Sequence, residues 1–217
     1  MTDKQGRYKT SGMVEDQYMP GSDGLVLKNL LGITTKDEID RVETELLFEL
    51  TDQLLDELND SREFSVREIM EIHRRWLGSL YQWAGSYRQV MVSKGNFMFA
   101  APAHIPQLMQ EFENEVLKKY TPCIFESRAK IITALAIVHT ELLLIHPFRE
   151  GNGRLSRLLA TLMALQAGLP PLDFTLFANE RREEYFLTVR YGLERNYKPM
   201  EEVFKTVIEH SLKAYEK

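Results

Sequence analysis

The twelve residues from His146 to Arg157 hold most of the side chains in this sequence that could take part in a reaction. They read HPFREGNGRLSR and combine a histidine, a carboxylate, two glycines and three arginines, of which Arg154 and Arg157 follow the glycines. A histidine can accept a proton near neutral pH, and the carboxylate of Glu150 could bind a hard cation such as Mg²⁺. Arginine binds phosphate oxygens through a fork of N–H donors. This combination is typical of phosphoryl-type transfer.

The local sequence predicts that this segment is a loop ending at the N-terminus of a helix. Pro147 disfavours helical geometry at His146, so the preceding helix should end near Ile145, and the next should begin at about Gly153. Unpaired N–H groups and the positive end of the helix dipole favour an anion at such a position. Gly151 and Gly153 allow the backbone to approach a ligand closely.

Two arginines of the segment, Arg154 and Arg157, are three residues apart and share one face of the predicted first helical turn. Each feature alone has a plain structural explanation. A histidine before proline can end a helix, a Gly-Asn-Gly tripeptide can be a simple turn, and single arginines are usually solvated. Their occurrence together within twelve residues favours a functional site.

Helical periodicity surrounds this segment on both sides. Apolar residues recur every three or four positions, and capping boxes at Thr35 with Glu38 and at Ser65 with Glu68 indicate two helix starts. The helices that we predict from these patterns cover residues 35–59, 65–81, 105–120, 126–145, 153–167, 179–195 and 199–214.

One segment departs from this periodicity. Val90, Val92, Phe97 and Phe99 alternate with polar or exposed positions around the tripeptide Lys-Gly-Asn at 94–96. This pattern predicts a β-hairpin with a Gly-Asn turn. We therefore predict an all-α (mainly α) fold, a helical bundle with one β-hairpin.

Length and composition agree with one domain. The chain has 217 residues, of which 44% are hydrophobic and 27% charged, and a chain of this size can bury a sizeable core. We expect residues 1–33 to form an extended N-terminal arm with a short helical turn at 26–30. Residues 34–217 should form a single catalytic domain.

Charge and cysteine content exclude several classes of protein. The net charge is −5, and basic residues are not clustered as a nucleic-acid surface would require, so we expect no nucleic-acid partner. The single Cys123 excludes an intrachain disulfide framework. No segment predicts a signal peptide or a membrane span. We expect a cytoplasmic protein without a membrane partner, with secretion into a host cell as the alternative.

The segment 146–157 resembles the signature of the Fic (filamentation induced by cAMP) family, H-x-F-x-[D/E]-G-N-G-R-x-x-R, and matches every specified position. Residues 15–33 resemble the N-terminal arm of bacterial Fic domains, and residues 93–100 resemble the family's flap. The resemblance covers residues 15–200 or so. It implies the Fic fold, in which residues 34–217 form one Fic catalytic domain with the hairpin flap near the active site.

The resemblance implies a protein adenylyltransferase, which transfers AMP from ATP to a Tyr, Thr or Ser hydroxyl of a target protein and releases pyrophosphate. His146 would then be the general base, and Glu150 would bind Mg²⁺. The residues that would form the anion hole and bind the ATP phosphates are Gly151, Asn152, Gly153, Arg154 and Arg157. The flap residues that would dock a target segment by strand-to-strand hydrogen bonds are Lys94, Gly95, Asn96 and Phe97. Phe148 would anchor the loop in the core, and residues 185–186 are candidates for contact with adenine.

Many Fic proteins contain an inhibitory helix with the pattern [S/T]-x-x-x-E-[G/N], whose Glu pairs with the second arginine of the motif. This sequence contains no match. The segments at 11–16 and 34–39 come near the pattern through Glu15 and Glu38, and we interpret both glutamates as structural. We therefore expect inhibition by a separate small antitoxin-like protein, or no such control. The oligomeric state stays open.

Two other functions are compatible with the resemblance. The same fold could transfer another group, such as UMP, a phosphoryl group or phosphocholine, or it could be a nucleotide-regulated helical interaction module without catalysis. Gly153 argues against the phosphotransferases of the death-on-curing type, which have Lys at this position. His146 and Glu150 argue against a module without catalysis. A metallohydrolase built on His139 and His146 would lack further ligands at suitable spacing.

Overall fold

The computed structural model of the chain describes residues 13–178 and 181–215. Their secondary structure is almost entirely helical, and the one sheet among them is a two-stranded hairpin. The helices are α1 (Lys36–Glu57), α2 (Val66–Leu77), α3 (Ile105–Glu111), α4 (Lys118–Tyr120), α5 (Arg128–Ile145), α6 (Asn152–Gln166), α7 (Thr175–Ala178), α8 (Arg182–Tyr191) and α9 (Lys198–Tyr215), and the strands are β1 (Ser93–Lys94) and β2 (Phe97–Met98). The predicted all-α class with one hairpin is confirmed.

Helix α5 lies at the centre of the bundle because it is apolar on nearly every side. Its buried residues include Ile131, Leu135, Val138 and Leu142, and it packs against α6, α8 and α9. A helix that is apolar all round has no solvent face and belongs in a core. The loop that carries the reactive side chains therefore begins at the C-terminal end of the central helix. Among the described residues, no helix is long and apolar enough to cross a lipid bilayer.

The two predicted capping boxes have different outcomes. At α2, the Ser65 hydroxyl accepts from the backbone N–H of Glu68, and the Glu68 carboxylate accepts from the N–H of Ser65. This box is confirmed. At α1, Thr35 is the N-cap residue but makes no side-chain capping bond. Its hydroxyl donates to the carboxylate of Glu38 at 3.5 Å instead, so the prediction of a second box is wrong.

Two predicted helices are less regular than the sequence pattern indicates. Residues 105–120 form α3 and α4 with a π-helical turn, Phe112–Leu117, between them. The helix predicted at 179–195 is α8, which ends in the 3₁₀ turn Gly192–Glu194; residues 179–180 lie outside the described part of the chain. Apolar residues at every third or fourth position do not distinguish these helix types over one or two turns, because the difference in their periods accumulates only over longer segments.

The N-terminal arm is extended in its described part, which begins at residue 13. Tyr18 and Leu27 form an isolated antiparallel bridge, and the N–H of Met19 donates to the carbonyl of Val26 at 2.8 Å. Val26 itself is buried in the core. The predicted helical turn at 26–30 is wrong, because pairing across the arm uses the backbone groups that such a turn would need.

The hairpin has the predicted turn. Ser93 lies opposite Met98 and Lys94 opposite Phe97, so the Gly-Asn pair at 95–96 forms a two-residue connection, with a φ of 57° at the glycine. Such a turn favours residues that tolerate positive φ. Phe97 is buried while Met98 is exposed, so the hairpin has one apolar face turned toward the bundle.

Candidate active site

A cavity of about 460 Å³ lies between the α5–α6 loop, the hairpin and α8. The predicted motif residues line it together: His146, Glu150, Arg154, Arg157 and the tripeptide at 151–153. Lys94 of the hairpin also contributes to the wall. The rest of the lining is largely aromatic or aliphatic and comes mainly from Leu143, Phe99, Phe177, Tyr185, Phe186 and Val189. The wall of the cavity thus combines cationic and apolar side chains.

His146 ends α5 in a left-handed backbone conformation, with φ 52° and ψ 58°. Its Nδ1 lies 3.2 Å from the carbonyl oxygen of Leu143. A carbonyl oxygen only accepts, so Nδ1 carries the proton and donates it to this bond. The imidazole stacks on the Phe99 ring, with 3.7 Å between ring centres and 17° between planes. The lone pair of Nε2 is therefore available to accept a proton in the cavity.

Burial is the main cause that lowers the pKa of His146 to about 3; the bond to Leu143 opposes it, and the nearby charges of Arg88 and Lys94 act in the same direction as burial. The sequence-based expectation of a pKa near neutrality is wrong for this geometry. The imidazole is neutral at physiological pH, so it needs no prior deprotonation. Its protonated form becomes favourable only when negative charge enters the cavity.

The start of α6 requires glycine at position 151. Gly151 has a φ of +83°, and a Cβ there would lie 2.6 Å from Cζ3 of Trp76. The first hydrogen bond of α6 runs from the N–H of Leu155 to the carbonyl of Gly151 at 2.9 Å. The N–H groups of residues 152–154 precede it and have no intrahelical partner. They form a site for an anion at the positive end of the helix dipole.

The side chain of Asn152 holds the loop in shape. Its Oδ1 accepts from the N–H of Phe148 at 2.9 Å, and its Nδ2 donates to the carbonyl of Phe148 at 2.7 Å. Asn152 is only 3% exposed. The Phe148 ring is fully buried, as expected for a residue that anchors the loop. The backbone N–H of Asn152 is therefore the group that this geometry offers to a phosphate.

His73 of α2 supports the same loop, a role that no sequence pattern indicated. The N–H of Gly85 donates to Nδ1 of His73 at 2.8 Å, so Nε2 carries the proton and donates to the carbonyl of Glu150 at 3.0 Å. The His73 ring stacks on Phe148 with 3.9 Å between centres. Burial lowers the pKa of His73 to about 4. This histidine is a neutral structural group.

Glu150 presents a partly exposed carboxylate to the cavity. Its Oε1 accepts from the N–H of Gly151 at 2.8 Å and lies 3.6 Å from Nη2 of Arg154. Mg²⁺ in phosphate sites takes one or two protein carboxylates and completes its shell with water and phosphate oxygens. The described residues contain no group of three or more His, Cys, Asp or Glu that could hold a metal. Glu150 therefore fits Mg²⁺ that is bound together with a polyphosphate.

The two motif arginines have different surroundings. Nη2 of Arg154 lies 2.5 Å from Oε2 of Glu43, and its guanidinium lies 4.7 Å from the centre of the Trp76 ring. Arg157 has the Tyr185 hydroxyl as a hydrogen-bonding neighbour. In the described part of the chain, no carboxylate forms an ion pair with Arg157. Arg154 is thus neutralised from the protein side, and Arg157 is not.

Arg88 joins the hairpin to the end of α5. It is fully buried and donates to the carbonyls of His146 at 2.7 Å, Val90 at 2.7 Å and Ala100 at 2.6 Å. Burial lowers its pKa to about 10. Because one guanidinium holds both ends of the hairpin and the backbone of His146, the hairpin and His146 have a fixed relative position. Sequence reasoning missed this residue.

The flap packs against α8. Nζ of Lys94 lies 4.6 Å from the centre of the Phe186 ring, and the ring of Phe97 lies 5.9 Å from it in an edge-to-face arrangement. Gly95 and Asn96 are exposed in the turn. Of the four predicted flap residues, the structure thus brings only Lys94 to the cavity wall.

Tyr185 of the cavity wall forms a hydrogen-bonded pair with the buried His139. Nδ1 of His139 donates to the carbonyl of Ser156 at 3.0 Å, so its Nε2 accepts from the Tyr185 hydroxyl. Burial lowers the pKa of His139 to about 3 and raises that of Tyr185 to about 12. Both nitrogens of His139 have protein partners, which leaves neither for a metal.

The two glutamates of the near-matching segments contact other parts of the chain. Glu15 is buried, and its carboxylate accepts from the N–H of Gln89 at 2.6 Å. Glu38 is exposed at the start of α1, where Thr35 donates to it. Ser11, which begins the first segment, lies outside the described residues. The contacts agree with structural roles for both glutamates.

A loop that presents an anion site to a partly buried neutral histidine, within a helical bundle with one flap, is the arrangement that the motif indicated. Residues 63–164 match the model of the Fic/DOC family. This part of the chain, which contains the whole of the 146–157 motif, is therefore similar to the Fic/DOC family.

The relatives and fold neighbours agree with this assignment. The protein adenylyltransferase Fic of Drosophila willistoni is 29% identical over 154 residues, which are 70% of this chain and 29% of the relative. The N-terminal Fic domain of a Bartonella effector protein from Bartonella sp. AR 15-3 superimposes with a TM-score of 0.74 at 23% identity, covering 94% of each chain. BepC of Bartonella tribocorum, solved with bound AMPPNP, gives a TM-score of 0.72 at 21% identity over 90% of this chain and 97% of BepC. This chain spans less than a third of the Drosophila relative.

Proposed function

We propose that this chain is a protein adenylyltransferase that transfers AMP from ATP to a Tyr, Thr or Ser hydroxyl of a target protein and releases pyrophosphate. The observation that carries the proposal is the placement of a neutral His146 beside the anion site of α6, in one cavity with Arg154 and Arg157. Attack of a hydroxyl on a phosphate ester needs both a base and fixed positive groups. The names of the relatives and the AMPPNP in BepC support this choice of reaction and nucleotide.

In the proposed reaction the target hydroxyl gives its proton to Nε2 of His146, and its oxygen forms a bond to the α-phosphorus. The bond from the α-phosphorus to the oxygen that bridges it to the β-phosphate breaks, and pyrophosphate leaves with that electron pair. The charge of the triphosphate offsets the burial that lowers the pKa of His146 and stabilises the imidazolium. The loop at 151–153 is the anion hole, where Asn152 holds the loop shape and offers its N–H.

Arg154 and Arg157 bind the β- and γ-phosphates, because both lie in the first two turns of α6 and line the cavity. Glu150 would hold Mg²⁺, which supplies neutralisation of phosphate charge when it is bound. Leu143, Phe177 and Phe186 form the apolar wall that we assign to adenine.

The hairpin is the docking site that we propose for the target. Lys94 lies on β1, whose side chains are exposed, and the edges of this two-stranded sheet can pair with an extended segment. The residues of the proposed docking flap are Lys94, Gly95, Asn96 and Phe97. Because Arg88 holds the flap to His146, a segment paired with it would reach the base at a fixed distance.

We also propose that a separate small helical protein inhibits the chain, as the antitoxin of a toxin–antitoxin pair. Arg157 has no carboxylate partner in the described residues, so a Glu from a partner could bind it in the bidentate geometry that Arg favours.

We place the reaction in the cytoplasm, with a host cell as the alternative. The buried thiol of Cys123, whose pKa burial raises to about 12, is unreactive and suits a reducing compartment.

The test is transfer of label from ATP to protein in a lysate. Label at the α-phosphate should appear on protein and label at the γ-phosphate should not. Labelled UTP tests the alternative transfer of UMP. His146→Ala should reduce transfer by about 10²–10⁴-fold while calorimetry still detects ATP binding, and His104→Ala, at an exposed histidine, is the control. Transfer of γ-label would contradict the proposal, and loss of ATP binding in His146→Ala would contradict the role of the base.

A further inference from the structure

We propose that Glu43 of α1 is a positioning residue that fixes the guanidinium of Arg154 for the β-phosphate of the nucleotide. This inference rests on the proposed function, in which Arg154 binds phosphate. It assigns a role in nucleotide discrimination to a helix that precedes the family-matched segment, which begins at residue 63.

Glu43 is an acidic residue in the core, at 3% exposure. Its Oε2 lies 2.5 Å from Nη2 of Arg154, and its Oε1 accepts from the hydroxyl of Tyr81 at 2.6 Å. Its backbone carbonyl accepts from Nε1 of Trp76 at 2.8 Å. Burial of a carboxylate is costly unless it is paired and hydrogen-bonded. Here both oxygens have partners, so the carboxylate has one fixed orientation.

The hydroxyl of Tyr81 is a permanent donor to Glu43. Burial raises the pKa of Tyr81 far above its usual value, and the neighbouring charge of Glu43 raises it further. The Tyr81 ring stacks on Trp83 with 4.5 Å between centres, which fixes the position of the hydroxyl. The orientation of Glu43 therefore does not depend on solvent.

Glu43 contacts Arg154 from the side away from the cavity. Arg154 lines the cavity, whereas Glu43, Tyr81 and Trp76 do not. The guanidinium has five N–H donors, and Nη2 is the atom that contacts Glu43. The face of Trp76 supports the guanidinium plane at 4.7 Å. Glu43 therefore orients Arg154 and leaves donors for a ligand, rather than competing with the ligand for them.

Orientation in advance matters for affinity because a ligand then does not have to order a flexible side chain. Fixing a rotamer-rich side chain before binding removes part of the cost of association, and preorganised charge needs no rearrangement when the ligand arrives. The benefit goes only to ligands that reach Arg154. A nucleotide with a β-phosphate should gain from Glu43, and one without it should not.

Calorimetry with ADP and AMP tests this inference, because the two nucleotides differ by the β-phosphate. Glu43→Gln should weaken binding of ADP about tenfold, which corresponds to about 1.4 kcal/mol, and change binding of AMP less than about twofold. Glu45→Gln is the matched control, since Glu45 lies on the same helix in an exposed pair with Arg41. It should leave both affinities unchanged.

Two further variants separate positioning from general support of the fold. Tyr81→Phe keeps the ion pair and removes only the hydroxyl, so it should weaken ADP binding in the same direction but less, and it carries the test if Glu43→Gln does not fold. In an Arg154→Ala background, Glu43→Gln should cause no additional loss of ADP affinity if the two residues act as one unit.

Three results would overturn the inference: equal weakening of ADP and AMP, tighter binding of ADP by Glu43→Gln, or an additional loss in the Arg154→Ala background. The second would mean that Glu43 competes with phosphate. Failure of the parent chain to bind ADP would refute the proposed function itself, so the two failures are distinguishable.

Discussion

Acid should destabilise the folded chain through three histidines that are neutral in it, of which His73 and His139 are buried and His146 is partly buried. Burial lowers the pKa of His73 to about 4 and the pKa values of His139 and His146 to about 3, whereas histidine in an unfolded chain has a pKa of about 6.5. Below that value the unfolded chain binds protons that the folded chain does not. The free energy of unfolding should therefore fall as the pH falls from about 6.5 toward the folded pKa values.

Linkage gives the magnitude. Between pH 7.5 and 5.5 the three histidines together should cost about 4 kcal/mol of folding stability, shared roughly equally. That is a large part of the 5–15 kcal/mol or so that stabilises a typical domain. The cost of protonation is clearest for His73, because the N–H of Gly85 donates to its Nδ1. A proton on Nδ1 would make it a donor that faces the N–H of Gly85 without an acceptor.

Urea unfolding at pH 7.5, 6.5 and 5.5, followed by tryptophan fluorescence, measures the effect. His73→Gln should be less stable than the parent at pH 7.5, because it loses the bond to Glu150, but its stability should fall by about a third less on going to pH 5.5. Glu15 and Glu141, whose pKa values burial raises, act in the opposite direction in both proteins and cancel in the comparison.

The exposed His104 provides the control, since His104→Gln should keep the parent's dependence on pH. The reasoning would be refuted if His73→Gln retained the full pH dependence of the parent. It would also be refuted if the parent became more stable at pH 5.5 than at pH 7.5.

Three further predictions concern the flap, the cation and regulation. Arg88→Lys should lower the free energy of unfolding by about 2–4 kcal/mol, because one ammonium group cannot satisfy every buried carbonyl that the guanidinium reaches; unchanged stability in urea would contradict its role. Glu150→Ala should raise the Mg²⁺ concentration needed for half-maximal transfer, and an unchanged Mg²⁺ titration would leave Glu150 a structural role only. Glu15→Gly and Glu38→Gly should leave self-modification of the purified chain within about twofold of the parent, as measured by intact mass after incubation with ATP. A several-fold increase in self-modification of either variant would mean that the chain inhibits itself. It would contradict the proposal that a separate partner inhibits the chain through Arg157.

The motif could be predicted from the sequence because its residues are contiguous. Proline, two glycines and two arginines within twelve positions define a helix end, a loop and a helix start through local geometry alone. The hairpin turn at Gly95 was predictable for the same reason, since a two-residue turn depends on the residues within it. The conformation of the N-terminal arm was not predictable from local sequence, because it depends on pairing between Tyr18 and Leu27.

The supports of the site could not be predicted in this way. Glu43 is 111 residues from Arg154 in the chain, His73 is 77 residues from Glu150, and Arg88 is 58 residues from the carbonyl that it holds. Charged residues usually lie on a solvated surface. Only their burial in the structure distinguishes Glu43 and Arg88 from ordinary surface residues. The altered pKa of His146 has the same origin, because desolvation is a property of the packed bundle.

These distant contacts show that the functional unit is larger than the segment that matches the family. The match covers residues 63–164, but α1 precedes it and supplies Glu43 to Arg154, while α8 follows it and supplies Tyr185 and Phe186 to the cavity wall. The matched segment provides His146, the loop and the arginines. The flanking helices determine the orientation of one arginine and the shape of the apolar wall. Differences in nucleotide preference among proteins with the same motif should therefore arise in these flanking helices, where substitutions can alter the site without changing a residue of the motif.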